Sequence, residues 1–159
     1  MVRFKVRWVL FEVVEDPVVD NGKVVFPKTS FEISENIINT AIRQAIAINY
    51  GEFGSAAAWG ATVKWYNPAT RTGIIRVPRE LTDLLISSMF FMKQIDSIPC
   101  SFRILHVAGT IIRIQKAAIE RDRALYLEEQ TRAEKSGNYF NVVENMEKSE
   151  AMIQRIADA

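Results

Sequence analysis

Cysteine and histidine are almost missing from this sequence. Its 159 residues contain one of each, Cys100 and His106. A single thiol excludes an internal disulfide framework and points to a reducing compartment. With no second histidine and no cysteine pair, a typical zinc site has no ligand set. Cys100 and His106 share a face of one expected strand, but that spacing holds them ~20 Å apart at the usual strand rise, too far for a nucleophile–base pair. His106 reads instead as a buried or edge histidine. No phosphate-cradling Walker loop or dinucleotide fingerprint occurs, and the acids form no converging pair. No catalytic residue and no metal ligand are therefore expected in this chain. Long apolar runs are missing too: none approaches the roughly 20 residues that span a membrane. The N-terminus lacks the uninterrupted apolar core and small-residue cleavage site of a signal peptide.

What is present is a globular profile, 48% hydrophobic and 25% charged. The net charge of +1 hides a pattern. Residues 1–7 carry +3, residues 8–58 carry −4, residues 59–123 carry +5 and residues 124–159 carry −3. The basic charge thus lies with the expected strands, a footprint for an anionic partner.

The opening "MVRFKVRWVLFEVV" alternates at period two, the pattern of a strand with two unlike faces. Arg3, Lys5 and Arg7 start one face, and Val9, Phe11 and Val13 continue it. The strand is expected over about 2–14, ended by Asp16-Pro17, with a loop at Asp20-Asn21-Gly22 and a short extended piece at Val24-Val25-Phe26. Thr29 and Glu32 fit a capping box for a helix starting near 29 or 30, with Gly51 as its stop. "GEFGSAAAWG" reads as a small-residue connection. Residues 61–66 and 74–77 are expected to form a hairpin around "NPATRTG", with Ala61, Val63 and Trp65 on one face and Thr62, Lys64 and Tyr66 on the other. Pro78 opens a helix that is apolar almost all round. Pro99 opens a strand to about 108, and Gly109-Thr110 starts a long helix that Ser136-Gly137-Asn138 breaks. A last amphipathic segment follows.

The order β-α-β-β-α-β, then helices, predicts an α+β fold: a split β-α-β, ferredoxin-like sandwich with a four-stranded antiparallel sheet and extra C-terminal helices. Residues 1–125 form the expected domain, with a variable loop at about 16–30, and residues 126–159 a helical extension. The sheet's second face is expected to be open unless the third helix or another chain covers it. Trp8, Trp59 and Trp65 read as core or partner-facing rather than as base platforms. Candidate RNA-binding cations are Arg3, Lys5, Arg7, Lys64, Arg71, Arg76, Arg79, Arg103, Arg113, Lys116 and Arg123, which suit phosphate recognition. The helix start at Gly109 and Thr110 is a candidate anion site, because its free amides favour negative charge. Strand "TGIIRVPR" has no aromatic, which argues against base stacking on the sheet. Val9, Phe11, Val13, Ile86, Phe90, Phe91, Phe140 and Val143 are candidate protein-interface residues. Two other readings stay open at this level: a protein-interaction scaffold without nucleic acid, and a small-ligand regulatory domain using "NYGEFGSAAAWG" as a glycine-rich pocket.

Four motifs in order, "MVRFKVRWVLFEV", "GEFGSAA", "TRTGIIRVPRE" and "LHVAGTIIRIQK", resemble the Pop-five family, the small protein subunit of eukaryotic ribonuclease P and ribonuclease MRP. The resemblance spans most of residues 1–123. It implies an RNA-recognition-like fold without the aromatic motif, in a ribonucleoprotein whose catalytic group is RNA. It implies no cofactor on this chain, with Mg2+ in the RNA active site. The implied partners are the catalytic noncoding RNA, precursor tRNA or precursor ribosomal RNA, and protein subunits including a thirty-kilodalton TIM-barrel-like one, with no membrane. The implied location is the nucleus and nucleolus.

Overall fold

The computed structural model describes residues 4–27 and 33–156. Arg3 and the expected Thr29–Glu32 capping box lie outside the described residues. The elements are β1 (Val6–Glu15), a hairpin of β2 (Val18–Asp20) and β3 (Lys23–Val25), α1 (Glu35–Ala58), β4 (Thr62–Asn67) and β5 (Thr72–Pro78). A 3-10 turn (Arg79–Leu81) leads into α2 (Thr82–Phe91), then β6 (Gln94–Ile95), β7 (Ile98–Ala108), α3 (Ile111–Lys135) and α4 (Val142–Gln154).

The main sheet runs β4-β5-β1-β7-β6, with antiparallel neighbours throughout. Strands β4, β5, β1 and β7 are the split β-α-β frame that the element order predicts. The two-residue β6 is an addition, paired to β7 through Asp96 and Ser97, both at positive φ. Neither residue is a glycine, so the composition carries no strong turn signal there.

Both faces of the sheet are covered. On one side Val9, Phe11, Val13, Ile75 and Phe102 pack with Ile38, Ile42 and Ile46 of α1 and Leu85 and Met89 of α2. On the other, Trp8, Leu10, Trp65 and Ile74 pack with Ile114 and Ala118 of α3 and Ile153 of α4. The third helix therefore closes the face that strand pattern alone leaves open. "WVLF", residues 8–11, is buried throughout because β1 is central and covered twice.

Three local expectations change. Helix α1 starts at Glu35, where the Ser34 hydroxyl accepts from the Ile37 amide at 3.3 Å. It breaks at Gly51 (φ 62°, ψ −142°) and resumes, so residues 52–58 are helical rather than a pocket-forming loop. In β4 the register shifts between Val63 and Trp65. The bulge turns Trp65 toward α3 while Val63 and Tyr66 face the α1 side, against strict alternation. Finally, α3 passes residue 125 unbroken, so the expected extension begins inside a helix.

Candidate nucleic-acid interface

Antiparallel pairing brings four chain segments to one end of the sheet. Val6 pairs with Pro78 and Trp8 with both Arg76 and Ala108. The start of β1, the end of β5, the end of β7 and the start of α3 thus meet there. With them come Lys5, Arg7, Arg76, Arg79, Gly109, Thr110 and Arg113, residues far apart in sequence. The Arg7 guanidinium lies against Gly109, where a Cβ would come within 3.4 Å of Nη1. Its Nη1 donates to the Val6 carbonyl at 3.1 Å. Helix α3 opens without an acid in its first turn, and the extended N-cap Thr110 makes no side-chain capping bond among the described residues. The first amides of α3 and the Arg7 guanidinium thus present positive charge together, which favours an anion. Arg76 is half-buried between Thr62 and Trp8, and its Nε is buried with no hydrogen-bond partner among the described residues.

Other candidate cations are engaged inside the molecule. Arg71 pairs with buried Glu15 at 3.2 Å. Arg103 and Arg121 both reach Glu12, at 3.4 and 3.2 Å. Arg123 pairs with Glu150 at 2.6 Å. Arg71, Arg103 and Arg123 are thus ion-pair partners of acids that only the fold brings near, Arg71 half-buried and Arg103 and Arg123 still exposed. Lys116 is exposed one turn along α3 from Arg113, while Lys64 is half-buried at the β4 bulge.

The expected protein-interface set divides. Val9, Phe11 and Val13 lie in the core beneath α1 and α2, so they offer a partner no surface. Their charge-to-apolar strand face is a basic end followed by core. Phe140 is half-buried and stacks on Tyr126 with centroids 6.4 Å apart. Ile86 is half-buried; Val143, Phe90 and Phe91 are exposed. His106, expected as buried or at an edge, is exposed on β7.

Cys100 is buried, and desolvation pushes its thiol up to about 11, with a backbone hydrogen bond at Ile95 opposing. At neutral pH it stays a thiol, a poor nucleophile. No group of three or more His, Cys, Asp or Glu side chains among the described residues could hold a metal ion.

Two features have no clear signal in the sequence. One is a cleft of about 980 Å3 beside the basic end, lined by Phe4, Lys5, Trp59, Arg76 and Arg79, and also by Glu80 and Asp83. The other is a buried polar cluster around Asp122. Its carboxylate accepts from Thr72 at 3.0 Å, from Asn67 at 3.5 Å and from Ser149. Asn67 also donates to Tyr126 at 3.3 Å. The only hint in the sequence is an acid on the apolar face of a helix, which is weak without its partners.

A sequence profile of the Rpp14/Pop5 family matches residues 7–119. The chain belongs to the Rpp14/Pop5 family. The ribonuclease P/MRP protein subunit POP5 of Schizosaccharomyces pombe is 33% identical over 125 residues, covering 78% of this chain and 90% of that protein. Human POP5 is 32% identical over 128 residues, covering 77% and 73%. Among solved structures, a chain of the yeast ribonuclease MRP cryo-EM structure superposes with a TM-score of 0.52 at 16% identity. It covers 86% of this chain and 96% of that one, a likeness of fold. The family match ends inside α3, so α4 and its Ser149 contact to Asp122 lie outside it.

Proposed function

We propose that this Rpp14/Pop5 chain is a protein subunit of a ribonuclease P/MRP ribonucleoprotein, and that it holds RNA phosphates at the basic end of its sheet. The observation that carries the reading is the gathering of Lys5, Arg7, Arg76 and Arg79 at one sheet end, where the Arg7 guanidinium meets the start of α3 and Arg113 lies in that helix's first turn. The family membership and the POP5 relatives support it. In this reading the chain positions RNA and leaves the chemistry, with its Mg2+ ions, to the RNA. The processes served are 5′-end maturation of precursor tRNA and processing of precursor ribosomal RNA, in the nucleus and nucleolus. Neighbouring protein subunits, the thirty-kilodalton TIM-barrel-like one among them, would cover the exposed side chains of Ile48, just before the Gly51 break in α1, and of Phe90 and Phe91 at the end of α2.

The test is the salt dependence of binding between the full chain and a ribonuclease P-type RNA. Removing one phosphate-binding cation lowers the slope of log K against log salt by about one unit. The Lys5→Ala/Arg7→Ala/Arg113→Ala variant should lower it by about two to three units while keeping its circular dichroism. The Arg71→Ala/Arg103→Ala/Arg123→Ala variant should keep the slope and lose stability. An unchanged slope in the first variant would overturn the assignment.

A further inference from the structure

We propose that the cleft beside the basic end binds an unpaired nucleotide, with its base stacked on the free face of Trp59. This rests on the RNA-binding reading above and adds a ligand class and a recognition residue. Trp59 is 77% exposed and Phe4 is 89% exposed, and both rings line the cleft. The Arg43 guanidinium lies 5.2 Å from the centroid of the Trp59 ring. Arg43 is itself held, its Nη2 donating to the Ala61 carbonyl at 3.5 Å. One face of the indole is thus backed by a tethered cation, and the ring stays largely exposed beside the cleft. A ring so placed stacks a base with little further ordering, and such stacking accepts any base because every base has a π-face.

The rest of the lining fits the rest of a nucleotide. Lys5, Arg76 and Arg79 suit phosphate. Glu80 and Asp83 repel phosphate but accept hydrogen bonds from exocyclic amino groups, which adenine and cytosine have and uracil lacks. The volume, about 980 Å3, lies in the range of small-ligand sites. Three cations against two acids leave the lining net positive, and an apolar protein segment would desolvate all five charges, so the lining favours nucleic acid. Stacking on the sheet itself is closed off, because α1 and α2 cover one face and α3 and α4 the other.

Tryptophan fluorescence reads this site selectively, since Trp8 and Trp65 are only 1% and 5% exposed. The full chain is titrated with labelled hexaadenylate, hexauridylate and a short RNA hairpin, following anisotropy and tryptophan emission together. Hexaadenylate should quench the emission saturably and bind more tightly than hexauridylate. Trp59→Leu should weaken hexaadenylate binding roughly five- to hundredfold, Trp59→Phe should retain most of it, and hairpin affinity should stay unchanged in both. Wild-type hexaadenylate affinity in Trp59→Leu, with salt-dependent hairpin binding intact, overturns the nucleotide site and leaves the RNA-binding reading standing. Binding of neither RNA by the wild-type chain overturns both. Protection of Trp59 only when another protein subunit is added assigns the cleft to protein and overturns the inference.

Discussion

Gly73 sits opposite Phe11 in the β1–β5 pair, and a Cβ on Gly73 would fall 2.4 Å from the tip of that ring. The ring cannot swing away. It is fully buried, stacked on Tyr66 at 6.4 Å and edge-on to Phe102 at 5.4 Å. Glycine at 73 is therefore a packing requirement of the β1 core face. Gly73→Ala should destabilise the chain by about 1–3 kcal/mol through overpacking, seen as a lower urea midpoint with an unchanged m-value. Phe11→Leu combined with Gly73→Ala should recover part of that stability, because the smaller side chain makes room for the methyl group.

At the scale of elements, α4 is the piece whose role is least evident from local pattern. It packs on α3 and contributes Ile153 to the core on the α3 side of the sheet. Its Ser149 donates to Asp122 on α3, which in turn accepts from Thr72 on β5. The Gln115 side chain donates to the Ile153 carbonyl at 3.1 Å, closing the helix end onto α3. Removal of residues 138–159 uncovers that core and leaves a buried carboxylate short of a donor. The expected outcome is destabilisation by several kcal/mol, combining reduced apolar burial with an incompletely satisfied acid. Acrylamide quenching of Trp65 in a Trp59→Phe background should rise in the truncated chain, since Trp65 lies under this layer. Ser149→Ala alone should cost about 1–3 kcal/mol. Quenching and urea midpoints unchanged on truncation would contradict this role for α4.

For the molecule as a whole, charge is sorted along the sheet. Acids Glu12 and Glu15 near one end hold Arg71, Arg103 and Arg121, while the other end collects cations around the start of α3. Global stability carries a pH signature from three buried groups, Tyr66, Cys100 and Tyr126, each raised chiefly by desolvation. Burial pushes Tyr66 up from 10.0 to about 12, with Arg71 opposing, and Cys100 up from 9.0 to about 11. Above the unfolded values the unfolded chain has released these protons while the folded chain keeps them. Stability is then lost as pH rises from about 9 toward about 12. Urea unfolding followed between pH 8 and 11 checks this, reading a falling midpoint with the steepest decline above pH 9. Cys100→Ala should remove the earlier part of the fall; an identical profile in that variant would contradict it.

Local pattern was enough for the elements and the family. Period-two and helical spacing place the four main strands and the helices, because each depends on residues within a turn or two. The four ordered motifs carry the family resemblance for the same reason. The site is only partly legible in this way. Arg7, Arg76, Gly109 and Arg113 stand out one by one, but their meeting at one sheet end follows from the register of β5 and β7 on β1. Nothing local marks Arg71 or Arg123 as an ion-pair partner and Lys5 as exposed, since Glu15 and Glu150 reach their arginines only through folding. Val9, Phe11 and Val13 suggest a partner surface from alternation and prove to be core, because alternation says which residues share a face and not what covers it. The bulge at Lys64 turns Trp65 away from its expected face, and the helix ending at Ala58 leaves Trp59 beside the cleft. Those outcomes belong to the folded molecule: periodicity acts over a few residues, whereas register, ion pairing and clefts are set between segments tens of residues apart.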